Sequence, residues 1–187
     1  MPTRRVKEWG IDVSTMTPDE FPRHAFADVL SGNQNFARKF VDSGLAGTAR
    51  LGLAIITCMD SRINPLAIVG MEAGDVKILR NAGARVTDDV LRTLVLGTYL
   101  LGVQRVLVMP HTDCRMTQDD ESAIHEMITQ QHGVDTRSLE FRTVSDQRAA
   151  LASDIARIKA FSYLPSNLTV GGAIYDVHTG VLEPIDF

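Results

Sequence analysis

The sequence predicts an α/β fold: a central, mainly parallel sheet flanked by helices. Short apolar runs alternate with stretches of helical periodicity, and most of the helical stretches open on a recognisable capping residue. No repeat, low-complexity tract or Pro/Ser-rich linker interrupts the chain, so residues 1–187 read as a single domain with an N-terminal arm and helix over about 1–45.

The elements follow in order. Thr17-Pro18-Asp19-Glu20 offers an N-cap, a proline at the first helical position and a glutamate that reaches back, although Pro22 can break the turn that results. Phe26, Val29, Leu30, Phe36, Phe40 and Val41 then recur at helical spacing, and this stripe is expected to pack on a partner subunit. Buried strands are predicted over 53–57, 76–79, 105–109 and 169–177, with Thr179-Gly180 turning into a short last strand around Val181. Asn64-Pro65 opens a short helix closed near Gly70 or Gly74, and Thr87 with Asp88 and Asp89 caps an apolar helix over 90–101. Thr117 is expected to open another helix ending near Gly133, and a last one runs over about 146–161, stopped by Pro165. Helices between strands imply right-handed crossovers and the strand order 2-1-3-4, with the short extra strand at the C-terminus.

Composition narrows the function classes. A hydrophobic content of 44% with 22% charged residues is that of an ordinary globular protein with a sizeable core. A net charge of −4 argues against nucleic acid as a partner, and Arg4, Arg5 and Lys7 read as a solvated basic tail. No apolar run follows those arginines and no stretch of about 18 apolar residues occurs, so a membrane partner is not expected and a cytoplasmic location is. In a reducing cytosol two cysteines serve metal binding or catalysis more readily than a disulfide, although a redox pair stays open.

Both cysteines lie in chemically loaded segments, Cys58-Met59-Asp60-Ser61-Arg62 and His111-Thr112-Asp113-Cys114. Two thiolates and an imidazole are the donor set of a catalytic zinc, which keeps a fourth position for water or substrate; a closed site would need another histidine or a carboxylate such as Asp60. Cys58 follows the first predicted strand and His111 the third, the two strands that flank the switch point where open α/β sheets bind ligands. Two small buried hydrophobes are the plainer alternative for the thiols.

Asp60 and Arg62 alternate along the chain, so an extended turn puts them on one side as a bidentate pair and fixes the carboxylate as an acceptor for metal-bound water. A surface ion pair worth under about 1 kcal/mol is the competing reading. His24, His125, His132 and His178 read as ordinary histidines, and Asp113 as a turn or surface residue as readily as a catalytic one. Arg80-Asn81-Ala82-Gly83 follows the second strand, where Gly83 permits close backbone approach to the site or simply makes a tight turn.

These motifs resemble the β-class carbonic anhydrases, of the short single-domain bacterial type. The C-x-D-x-R element stands as Cys58, Asp60 and Arg62, and the H-x-x-C element as His111 and Cys114, with Arg80-Asn81-Ala82-Gly83 and Val86-Thr87-Asp88-Asp89 similar to the family's next segment. The likeness is specific over roughly residues 53–116. It departs at Arg115, where the family usually has glycine: arginine there is strained if the position needs a positive φ, or else adds a cation beside the site.

The resemblance implies a lyase, carbonate dehydratase, that hydrates carbon dioxide reversibly to bicarbonate and a proton through a hydroxide on zinc. It implies one Zn2+ per chain on Cys58, His111 and Cys114, catalytic roles for Asp60 and Arg62, and Gly83 near the substrate. Asp60 becomes a fourth ligand if the site closes. It implies a homodimer or a multiple of one. Two alternatives accompany it: hydrolysis of carbonyl sulfide or carbon disulfide at the same site, and a non-catalytic zinc-binding module.

Overall fold

The computed structural model describes residues 21–187, and the chain divides into two compact units after Leu45. The predicted cap at Thr17-Pro18-Asp19-Glu20 lies outside the described residues. Within the first unit one helix, α1 (Ala27–Ala37), starts at Phe26 without a side-chain cap and buries none of its residues. Phe26, Val29, Phe36, Phe40 and Val41 are all exposed, Val41 at 83%.

The second unit holds a five-stranded sheet. Its elements in chain order are β1 (Leu53–Cys58), α2 (Pro65–Ile68), β2 (Val76–Asn81), α3 (Asp88–Leu100), β3 (Arg105–Met109), α4 (Glu121–His132), α5 (Gln147–Ala160), β4 (Thr169–Tyr175) and β5 (Leu182–Ile185). The strand order is β2-β1-β3-β4-β5, parallel throughout except for the β4–β5 pair. This is the predicted order, with the extra strand added antiparallel at the edge.

Burial explains why β1 reads as a nearly continuous apolar run: all six of its residues, Thr57 included, are buried, as a central parallel strand covered on both faces requires. Ala54, Ile56, Val106 and Val108 pack with Leu91 and Leu94 of α3 and Leu151, Ile155 and Ile158 of α5. Leu53, Ile55 and Met109 belong to a second cluster that includes Cys58, Ile63, Cys114 and Met116.

Capping follows the sequence closely. Asn64, Thr87 and Asp146 each accept a hydrogen bond from the first turn of α2, α3 and α5. The exception is α4, which is capped by Asp120 rather than Thr117; Thr117 ends a 3-10 turn and its hydroxyl donates to the Cys114 carbonyl. Gly133 closes α4 in the left-handed conformation, as its lack of Cβ allows. Helix α5 stops at Ala160, before Pro165, because Phe161 already turns extended.

Candidate metal centre

Parallel pairing brings the site together. Leu53 is level with Arg105 and Thr57 with Met109, so β1 and β3 end side by side and their C-terminal extensions diverge there. The Thr57 hydroxyl donates to the Met109 carbonyl across the two strand ends, at 2.9 Å. From this edge Cys58, His111 and Cys114 converge, all buried, with their donor atoms within 4.8 Å of one another. The two sulfurs lie 3.9 Å apart and both thiols are free.

His111 is fully buried and held by its backbone. It bridges Tyr175 beyond the end of β3, and the Gln147 side chain donates to its carbonyl at 2.7 Å. Its ring Nδ1 is 2.8 Å from the Thr112 carbonyl, so Nδ1 carries the proton and Nε2 keeps its lone pair. That Nε2 is the buried polar side-chain atom, among the described residues, without a hydrogen-bond partner. A buried imidazole nitrogen aimed at two sulfurs and bonded to nothing fits a metal ligand, since an orphaned buried acceptor otherwise costs about 1–3 kcal/mol.

The two buried sulfurs act on each other. Hydrogen bonding to Cys114 holds the Cys58 thiol well below its usual range, with help from His111 and the Gly83 N–H at 3.4 Å, against burial, which pushes it up. The same contact with Cys58, and burial, push Cys114 up. For His111, burial lowers the imidazole and the neighbouring Cys58 sulfur more than offsets it, although no atom meets hydrogen-bond geometry to Nε2.

Asp60 and Arg62 form the expected bidentate pair. Arg62 Nε donates to Asp60 Oδ1 at 3.0 Å and Nη2 to Oδ2 at 2.7 Å, while the Arg62 N–H reaches Oδ1 at 2.9 Å. The Arg62 guanidinium holds the Asp60 carboxyl well below the usual carboxylate range. Arg80, from β2, donates to the carbonyls of Cys58 and Asp60 at 2.9 and 2.7 Å and so pins the loop between them. An open cleft lined by Cys58, Asp60, Arg62, Ala82, Cys114 and Arg115 leads to these groups.

Gly83 has φ 76° and is buried; a Cβ there would lie 3.2 Å from Met116 Cγ, which accounts for the glycine. Arg115 is not among the residues with positive φ, so the strain considered for it does not arise. It is instead a cation at the cleft, paired with Asp119. Two roles go beyond the sequence expectations: the segment beginning at Arg80 was expected near the site but not its hold on the loop, and Gln147 was not expected there. Arg80 carried a signal, its place at the end of the second strand, whereas Gln147 sits in the first turn of α5 and had none.

A family model described as carbonic anhydrase matches residues 53–182. The chain is 30% identical to beta-carbonic anhydrase 1 of Mycobacterium tuberculosis over 159 residues, 84% of this chain and 96% of that protein. It is 31% identical to a carbon disulfide hydrolase of Saccharolobus solfataricus, over 70% of this chain and 76% of the relative. Among solved structures, a carbonic anhydrase from Streptococcus mutans superimposes with a TM-score of 0.81 at 34% identity, covering 86% of this chain and 97% of the other.

Proposed function

The chain belongs to the β-class carbonic anhydrase family, and on that premise we propose that it hydrates carbon dioxide reversibly to bicarbonate and a proton at a zinc ion held by Cys58, His111 and Cys114. The unpartnered Nε2 of His111, buried within reach of both sulfurs, is the observation that supports this ligand set most directly. Zinc, when bound, would acidify water and so supply a nucleophile near neutral pH.

The chain's own groups do the rest. The Thr112 carbonyl fixes the His111 tautomer, and the Gly83 N–H steadies the Cys58 sulfur. Asp60, kept ionised by Arg62, accepts a hydrogen bond from the attacking water and turns a lone pair toward the substrate carbon. Arg62 occupies both Asp60 oxygens and so discourages the carboxylate from becoming a fourth ligand. Gly83 backs the substrate side of the site next to Ala82, and the proton leaves to bulk water or buffer.

A second reading rests on the carbon disulfide hydrolase relative: carbon disulfide or carbonyl sulfide, linear like carbon dioxide, attacked at the same centre. Paired assays on the three substrates separate the two. We further assign the whole chain to one domain in the cytoplasm, acting as a homodimer or a multiple of one. No helix among the described residues is long and apolar enough to cross a membrane.

Zinc analysis with stopped-flow hydration of carbon dioxide tests the proposal. One zinc per chain is expected, and Cys114→Ser is expected to lose both metal and activity. Full zinc occupancy in that variant would overturn the ligand set.

A further inference from the structure

We propose that Asp113 is a positioning residue that grips the Arg62 guanidinium from the side away from Asp60 and thereby fixes the orientation of the Asp60 carboxylate. This rests on the roles given to Asp60 and Arg62 above.

The geometry is a clamp. Arg62 Nη1 donates to Asp113 Oδ2 at 2.7 Å, and Nη2 donates to the Asp113 carbonyl at 2.9 Å as well as to Asp60 Oδ2. With Nε on Asp60 Oδ1, four of the five guanidinium N–H groups are committed, two to each aspartate. A planar fork held at one end can still pivot with its carboxylate; held at both ends it cannot. Gln118 Nε2 lies 3.4 Å from the other Asp113 oxygen and restrains that side chain in turn.

The backbone is shaped for this contact. Asp113 has φ 53°, the left-handed region that non-glycine residues seldom occupy and that aspartate tolerates better than most. The turn between His111 and Cys114 thus presents both the carbonyl and the carboxylate of Asp113 to one arginine. Turn stability alone would not require the carboxylate to point there.

Magnitude separates orientation from stability. The Arg62 and Asp113 side chains are 44% and 46% exposed, a setting in which an ion pair contributes little to folding. The pair's effect is therefore expected in the geometry of Asp60 rather than in the melting temperature.

Asp113→Asn tests this, because asparagine accepts the left-handed conformation and removes only the charge; Asp113→Gly removes the side chain without strain and carries the test should the first variant fold poorly. Arginine side-chain nitrogen NMR is recorded on zinc-loaded and metal-free protein, beside zinc content, melting temperature and hydration kinetics across pH. We expect unchanged zinc and melting, Arg62 Nη signals that are resolved in the parent and averaged by rotation in the variant, and a roughly fivefold fall in kcat/KM with its pH midpoint moved. Unchanged Arg62 signals with kcat/KM within about twofold of the parent would overturn the proposal. Failure of the zinc reading would show separately, as missing metal in the parent, while the metal-free NMR comparison still reports on the clamp.

Discussion

Asp60 Oδ2 stands 3.8 Å from His111 Nε2 while both Asp60 oxygens are held by Arg62. The carboxylate is thus within a small rotation of the three-residue cluster yet committed to the guanidinium. Whether it stays there determines how the site behaves.

Asp60→Asn is expected to keep zinc and to lower kcat/KM about a hundredfold, the cost of losing a well-placed acceptor at the reacting centre. In the unmodified protein, activity is expected to rise between about pH 7 and pH 9. Metal absorption spectra at the two ends of that range report whether Asp60 changes sides. An unaltered spectrum excludes the change, and a flat pH–rate profile contradicts the zinc chemistry.

Acid should destabilise the fold through depressed carboxyls. Asp75 is buried, and its carboxyl is lowered by the Glu72 N–H and then by Arg50; that of Asp60 is lowered by Arg62. A depressed folded-state pKa contributes stability above the unfolded value, about 4, and loses it as pH falls toward the folded value. Urea midpoints should therefore hold from pH 7 to about 5 and decline below about 4. Asp75→Asn should flatten part of that decline, and an undiminished midpoint at pH 3 would contradict it.

Gly172→Ala is expected to cost about 1–3 kcal/mol without touching the metal centre. A Cβ there would stand 2.7 Å from Ile155 Cδ1 and 3.0 Å from both Leu151 methyls, and those side chains are themselves buried in the core. Chemical denaturation measures the loss; a variant as stable as the parent would mean that α5 can shift away from β4.

The apolar stripe over residues 26–41 should be covered in solution by a second copy. Phe26, Phe36 and Phe40 are 44%, 62% and 57% exposed, more apolar surface than a lone helix usually leaves in water. Sedimentation at low micromolar concentration is expected to give a dimer or larger, and a stable active monomer would count against it.

Much of this was readable because short-range rules and tertiary demands agreed. The run of β1 is apolar at five of six positions because both its faces are covered, and Asn64, Thr87 and Asp146 cap where local hydrogen bonding favours them. Cys58, His111 and Cys114 could be picked out as a candidate metal-holding set because few residue types bind zinc, and the fold brings them together. Thr117 misled because its hydroxyl serves the Cys114 carbonyl, a partner fixed by the turn of the site. Asp154, polar in an otherwise ordinary helix, gave no sign that it would be buried with Arg85 at 2.7 Å, since that partner lies 69 residues away. The grip of Asp113 on Arg62 was hidden for the same reason.

The matched registers of β1 and β3 carry an evolutionary consequence. One residue inserted between Leu53 and Cys58 would turn the thiol to the opposite face of the sheet, and two would carry it roughly 6–7 Å past its partners. Strand length near the site is therefore as fixed as the identity of Cys58, His111 and Cys114 themselves. Descendants of this chain can lengthen or shorten where the strands begin, at the far end of the sheet, but not where they end.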